Sequence, residues 1–129
     1  MRELTLQGGS WDNRRATFDL GGAASDSFAA RVMGVYEDSG SYRDGVELER
    51  KGINSTFALA IGDATVLRFS YEYFDYERVA DRGIPSLDGG PYRTSESTFF
   101  GDPGQSPTCA TVNQSSVTID HGFNDSLRL

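Results

Sequence analysis

The stretch LRFSYEYFD, residues 67–75, decides the fold class. Its apolar and aromatic residues fall on every second position, namely Leu67, Phe69, Tyr71 and Tyr73. Polar residues fill the positions between them, namely Arg68, Ser70 and Glu72. Successive side chains of a β-strand point to opposite faces, whereas a helix repeats every 3.6 residues. The stretch therefore predicts a strand with one apolar and one polar face.

The same alternation recurs along the chain. It is clearest in SFAARVMGVYE, residues 27–37, and weaker versions begin at Leu4, Phe18, Ile53 and Val117. We count about seven strands, of which residues 127–129 only begin the last. The predicted fold is all-β: an antiparallel meander forming one curved sheet, with Phe28, Val32, Leu59 and Phe69 on its convex face.

Short and long links alternate between these strands. Short polar turns are predicted at 24–27, 62–64 and 124–126, and longer links at 38–50 and roughly 79–110, with the first link, 9–15, at the same end as the long ones. Outer-membrane barrels combine short turns at one rim with long loops at the other, and carry aromatic girdles. An outer girdle is predicted from Trp11, Tyr36, Phe69, Tyr71, Tyr73 and Phe74.

Composition removes several functional classes. The chain has 129 residues, a net charge of -7 and scattered cations, which argues against a basic nucleic-acid-binding face. No apolar run approaches the ~20 residues of a membrane-spanning helix. The single cysteine, Cys109, predicted to lie in the last long link as a free thiol, excludes an internal disulfide framework and a cysteine-based zinc site. The segment MRELTLQGGSW lacks the apolar region of a secretory signal.

Four segments together resemble the TonB-dependent siderophore receptors, and more narrowly the N-terminal part of the β-barrel in ferrichrome- and catecholate-type members. They are RELTLQGGSWDNRRATFDLGG (2–22), FAARVMGVYEDSGSYRDGVELERKGINSTFALA (28–60), TVLRFSYEYFDYERVADRGIPS (65–86) and STFFGDPGQS (97–106). The order YED, RD, ER-KG, SYEYF, DRGIP and FFGDP carries the resemblance, which covers nearly the whole chain.

The resemblance implies a barrel of about 22 strands that is plugged by an N-terminal domain. Residues 1–129 would then be a partial barrel domain, an arc of six to seven long strands, with the plug domain and the remaining barrel absent. It also implies a location in the bacterial outer membrane, with the signal peptide outside this chain. The implied partners are a ferric siderophore, outer-membrane lipid and TonB, the last through the missing N-terminal segment. Iron would enter only as part of the ligand, so no cofactor is expected.

The long link after residue 79 is the best candidate for ligand contacts. In the resembled family, loops and upper lumen walls supply aromatic and cationic side chains to the iron-loaded siderophore. Such side chains suit a chelate that is aromatic and often anionic. The candidate residues are Arg82, Tyr92, Arg93, Phe99 and Phe100.

No catalytic or metal-binding residues are predicted. His121 is the one histidine and shares a face with Val117, Ile119 and Phe123, so we interpret it as a lipid-facing or interface position near a turn. The chain is not expected to be an enzyme. Two other functions fit the pattern: a soluble all-β ligand-binding module, for carbohydrate as an example, and a non-energised porin barrel.

Overall fold

A computed structural model describes residues 1–124, 127 and 128 of the chain. Its elements are all β-strands: β1 (Arg2–Gly8), β2 (Arg14–Ala23), β3 (Phe28–Ser39), β4 (Leu48–Ile61), β5 (Thr65–Val79), β6 (Ser86–Leu87), β7 (Gly90–Pro91), β8 (Pro107–Asn124) and β9 (Leu127–Arg128). Among these described residues there is no helix long and apolar enough to cross a bilayer.

Seven of the strands form one sheet in the order β1-β2-β3-β4-β5-β8-β9, and each is antiparallel to its neighbours. Strands β6 and β7 form a separate two-stranded hairpin within the link between β5 and β8. The predicted antiparallel meander is confirmed, with six long strands and the short β9. The predicted turns at 24–27 and 62–64 join β2 to β3 and β4 to β5, whereas the turn predicted at 124–126 extends outside the described residues.

The strand register separates two faces. One cross-strand row places Ala30, Phe57, Phe69 and Val117 side by side. The rings of Phe28, Phe57 and Phe69 stack along this apolar face, with centroids 6.4 and 6.3 Å apart. The adjacent row, on the opposite face, contains Arg31, Thr56, Ser70 and Ser116. We call these the apolar face and the polar face, and both are set by the two-residue period read from the sequence.

The apolar face covers no core. Among the described residues no hydrophobic side chain is buried, and the three buried residues are all polar: Glu37, Ser39 and Arg43. Leu59 and Phe69 each keep 40% of their surface exposed. A soluble sandwich would bury such residues between its layers. The described sheet has the form of an arc from a large barrel.

Four positional predictions are corrected by the structure. The link predicted at 38–50 is shorter, 40–47, and the one predicted at 79–110 runs from 80 to 106. Cys109 lies on β8 opposite Glu77, not in a loop. Phe74 faces Gly52 and Val112 on the polar face, so it does not join the girdle. The strand ends are polar on both faces, so their backbone pairing continues where the hydrophobic alternation has stopped.

Candidate functional site

The links between strands fall at two ends of the sheet. Because neighbouring strands run in opposite directions, links 9–13, 40–47 and 80–106 share one end, which we call the loop end. Links 24–27 and 62–64 lie at the other end, the turn end. The predicted asymmetry between long and short links is therefore present, and the candidate binding residues all lie at the loop end.

The structure brings only some of the predicted ligand-contacting residues together. Tyr92 and Phe100 meet edge-to-face with their ring centroids 6.0 Å apart, and both are nearly half exposed. The Tyr92 backbone N–H donates to the Pro85 carbonyl at 2.9 Å, which closes the base of the β6–β7 hairpin. Arg82 and Arg93 are exposed, and no ion pair is formed by either within the described part of the chain.

Phe99 differs from its neighbour Phe100 in being half-buried. Its ring lies over the backbone of Gly101, where a Cβ atom would come within 2.5 Å of the ring. This contact folds the segment 97–101 onto itself. The half-exposed pair of Tyr92 and Phe100 therefore presents the accessible aromatic surface of the link.

Arg43, in the link 40–47, is the buried cation of the loop end, with 8% of its surface exposed. Its Nη1 donates to the Thr98 carbonyl at 2.9 Å, and its Nε lies 2.6 Å from Asp81 Oδ2. The Nε–H is not directed at an acceptor, so the contact with Asp81 is an ion pair and not a hydrogen bond. The guanidinium also lies 5.2 Å from the ring centre of Tyr42.

A second group of charged residues sits on the polar face below the loops. Glu37 Oε2 accepts from Arg15 Nη1 at 2.9 Å and from Arg50 Nε and Nη2 at 2.8 and 2.6 Å. The register causes this arrangement, since Glu37 pairs with Arg15 on β2 and with Arg50 on β4. Only 8% of Glu37 is exposed. One carboxylate is thus shared by two guanidiniums, which leaves one positive charge uncompensated.

Tyr76 and Arg78 on β5 continue this charged surface. Tyr76 pairs with Arg50, the guanidinium of Arg78 lies 5.9 Å from the Tyr76 ring centre, and Phe74 stacks on the same ring at 6.4 Å. Sequence reasoning missed Arg50, Tyr76 and Arg78 because they fall in strand ends that were assigned to links or had no apolar contrast. Their shared face is the signal that could have found them.

Towards the turn end, neighbouring strands are joined on the polar face by contacts between two side chains each. Asp19 accepts from Arg31 Nε and Nη2 at 2.9 and 2.6 Å, and Arg68 forms an ion pair with Asp120. Glu72 accepts from Asn54 at 2.8 Å, and the hydroxyls of Ser70 and Ser116 are 2.7 Å apart. On this lower part Arg31 and Arg68 each have a carboxylate partner of their own, whereas nearer the loop end Arg15 and Arg50 share Glu37 and Arg78 forms no ion pair within the described residues. The upper polar face is suited to an anionic, aromatic ligand.

His121 and Cys109 are two further side chains with reactive groups. No group of three or more His, Cys, Asp and Glu side chains that could hold a metal ion occurs in the described residues. His121 lies on the same face as Phe123, with ring centroids 4.5 Å apart, and its Nδ1 is 2.8 Å from Thr65 Oγ1. Cys109 is an exposed free thiol.

An open antiparallel sheet with one apolar face, one ion-paired polar face and long links at a single end has the form of the wall of a large β-barrel. No family model matches the chain. The metal-pseudopaline receptor CntO of Pseudomonas aeruginosa is 28% identical over 130 aligned residues, covering 98% of this chain and 18% of the receptor.

Solved structures give the same result. The ferric-catecholate import receptor Fiu of Escherichia coli K12, in its closed form, matches 96% of this chain with a TM-score of 0.80 and 23% identity. The siderophore receptor PiuA of Acinetobacter baumannii matches 93% with a TM-score of 0.83 and 22% identity. The chain covers 19% and 18% of these two proteins. The predicted resemblance to TonB-dependent siderophore receptors is confirmed, and the shared feature is the fold of part of the barrel.

Proposed function

We propose that this chain is a section of the barrel wall of an outer-membrane, TonB-dependent receptor that imports ferric siderophores or related metal chelates. The separation of an apolar face from an ion-paired polar face, with no buried hydrophobic residue among those described, carries this proposal. A lipid bilayer on one side and a wet lumen on the other satisfy both faces at once.

The exposure of strand β1 is a second argument for a larger barrel. Every residue of β1 is exposed, and within the described residues the strand is paired only with β2. An unpaired strand edge with alternating apolar residues is an aggregation hazard in water. In the proposed receptor, further strands complete the barrel and a plug domain fills the lumen against the polar face.

The ligand class follows from the loop end together with the names of the similar proteins. Fiu is named for ferric catecholates and CntO for metal–pseudopaline, so both names describe chelated metal ions. We assign the contacts to exposed side chains of link 80–106, to the half-buried Phe99 beside them and to the upper polar face: Arg82, Tyr92, Arg93, Phe99, Phe100, Arg50, Tyr76 and Arg78. The metal ion is cargo within the chelate, and the protein needs no cofactor of its own.

Transport in this proposal needs parts outside residues 1–129. Binding at the loop end is coupled through the plug and an N-terminal segment to TonB, which supplies the energy. The chain shown here contributes barrel wall, lumen charge and part of the binding surface. It performs no covalent chemistry on the chelate, so the protein is a receptor and transporter and not an enzyme.

Uptake of radioactive iron tests the proposal. The complete reading frame is expressed in bacteria that lack their own ferric-chelate receptors, and iron is supplied as a tris-catecholate complex or as ferrichrome. We expect uptake of at least one complex that disappears when TonB is deleted. Uptake that persists without TonB identifies a porin, and a protein absent from the outer-membrane fraction identifies a soluble module. Either result overturns the proposal.

A pair of variants then locates the ligand. We expect the double variant Arg50→Ala, Arg78→Ala to bind the transported chelate about tenfold more weakly, corresponding to about 0.7 kcal/mol for each exposed cation–aromatic contact. Arg68→Ala is the matched control, because Arg68 is on the same face near the turn end. Equal losses in both variants would contradict binding at the upper polar face.

A further inference from the structure

Arg43 connects two links that are far apart in the sequence. It belongs to the link 40–47, yet its guanidinium contacts two residues of link 80–106. These are Asp81, at the start of that link, and Thr98, seventeen residues further on. Thr98 directly precedes Phe99 and Phe100. One side chain thus holds both the start of the link and the residue that leads into its aromatic pair.

The burial of Arg43 requires such partners. Moving a guanidinium out of water costs several kcal/mol unless a counter-charge and hydrogen-bond acceptors replace the water. Here Asp81 supplies the charge and the Thr98 carbonyl supplies an acceptor. Removing the arginine side chain leaves the Asp81 carboxylate without its cation. It also removes the hydrogen bond that joins link 40–47 to link 80–106 at Thr98. The contact is therefore specific for a long, charged, multiply donating side chain.

Backbone contacts also join the two links next to Arg43. The Asp44 N–H donates to the Ser97 carbonyl at 2.9 Å, next to the Arg43–Thr98 hydrogen bond. Gly45 has φ of 72°, and a Cβ at this position would lie 2.7 Å from Pro103 Cγ. The links are packed closely enough on both sides of Arg43 that the segment 97–103 depends on the link 40–47 for its position.

We propose that Arg43 is a positioning residue for ligand binding: it fixes segment 97–100, and through it the Tyr92–Phe100 aromatic pair, without contacting the ligand itself. Its relevance to binding rests on the proposed function, whereas its effect on the link does not. Arg43 is buried, so a ligand at the exposed aromatic pair has no access to its guanidinium.

Trypsin cleavage of the complete receptor in detergent tests the positioning directly. Arg82 and Arg93 are exposed cleavage sites inside the link, and cleavage there reports how often the segment opens. We expect Arg43→Ala to speed cleavage after these residues by about 10- to 100-fold, the range for losing a charged hydrogen bond with its ion pair. Arg43→Lys, which keeps the charge but cannot reach both partners, should give an intermediate rate. Glu96→Gln, an exposed change in the same link, is the control and should leave the rate unchanged.

Two further measurements keep the test decisive. The unfolding temperature of the barrel is measured from the change in its gel mobility after heating. If Arg43→Ala lowers that temperature, Asp81→Asn replaces it, since that variant removes the ion pair with little change in volume. Binding is measured with a ferric tris-catecholate complex and with ferrichrome. We expect a weaker affinity in Arg43→Ala, unchanged stoichiometry and partial rescue in Arg43→Lys.

The outcomes are distinguishable. Unchanged cleavage in both Arg43→Ala and Asp81→Asn overturns the positioning role. Faster cleavage with unchanged affinity shows that the positioning does not matter for binding, and overturns that part of the proposal. If the wild-type receptor binds neither chelate, the proposed function has failed, and the cleavage rates still decide whether Arg43 holds the link.

Discussion

The two faces of this sheet are built from the same strands but are stabilised in different ways. On the apolar face, neighbouring strands meet through rings and aliphatic side chains such as Phe57 and Phe69, and nothing in the described residues covers them. On the polar face, one residue away in the sequence, they meet through ion pairs and hydroxyl contacts such as Ser70 with Ser116. The difference fits the proposed receptor, in which the apolar face meets lipid and the polar face meets the lumen.

The largest effect is expected from placing a charge on the apolar face. Phe57→Lys puts an ammonium group near the middle of the apolar band and removes the stacks with Phe28 and Phe69. A lysine at the bilayer midplane costs about 2–4 kcal/mol in a transmembrane barrel. We expect the complete receptor to lose at least this much folding free energy in a urea titration in phospholipid vesicles.

Thr56→Lys is the matched control, because Thr56 precedes Phe57 and points to the polar face beside Arg31 and Ser70. In the proposed receptor its lysine enters the wet lumen and should cost less than about 1 kcal/mol. Similar losses for both variants would contradict the assignment of one face to lipid. A soluble module would instead be improved in solubility by Phe57→Lys.

A smaller but still large effect is expected from a clash on the apolar face. The Phe18 ring lies across Gly34 on the neighbouring strand, so that a Cβ at Gly34 would be 2.2 Å from Phe18 Cε1. Gly34→Val adds apolar surface, which is favourable on a face that contacts lipid, but it forces the Phe18 ring to move. Overpacking of this kind costs about 1–3 kcal/mol. The same urea titration should show the loss, and Phe18→Leu should recover part of it.

Gly22 provides the comparison for this clash. It lies on the same face, opposite Ala30, and a Cβ there would meet nothing within 4 Å. Gly22→Ala should therefore be neutral or stabilise the barrel by about 0.4–1 kcal/mol through the unfolded state. A loss at Gly22 as large as at Gly34 would mean that glycine is needed for backbone freedom and not for the ring.

The sequence predicted the two faces but not the contacts that hold the links at the loop end, for a physical reason. Alternation predicted that Phe28, Val32, Leu59 and Phe69 share a face, because strand geometry alone fixes that relation. It did not reveal the Arg43 contact, since Asp81 and Thr98 are distant in the sequence and are brought together by loop packing. It also ended strand β3 early and began strand β4 late, because polar residues such as Asp38 and Glu49 continue the pairing without apolar contrast.

On the polar face, removing the shared carboxylate should have a moderate effect. Glu37→Gln leaves Arg15 and Arg50 facing each other without their common counter-charge. We expect a loss of about 1–2 kcal/mol, near the lower end for charged hydrogen bonds, since these guanidiniums remain 36% and 32% exposed. The loss should shrink as salt is raised from low ionic strength in the urea titration.

Glu3→Gln is the control for this charge. Glu3 lies on the same face in β1 and is exposed, so its neutralisation should change stability by less than about 0.5 kcal/mol. If Glu37→Gln is as mild as Glu3→Gln, the ion pairs of the polar face do not stabilise it, and their role is confined to the charge of the lumen.

The smallest effect gives the sharpest comparison, because it uses the same substitution at two adjacent residues of β8. Ser116 is on the polar face, where its hydroxyl lies 2.7 Å from that of Ser70, and Ser115 is on the apolar face opposite Tyr71. Ser116→Ala removes a cross-strand hydrogen bond and should cost about 0.2–1 kcal/mol. Ser115→Ala removes a hydroxyl from the face that meets lipid in the proposed receptor, so it should be neutral or stabilising. A double-mutant cycle with Ser70→Ala isolates the hydroxyl pair: coupling is expected for Ser116 and none for Ser115. The opposite signs are expected only where the two sides of one strand meet different solvents, and equal effects in the vesicle-folded barrel would place both faces in water.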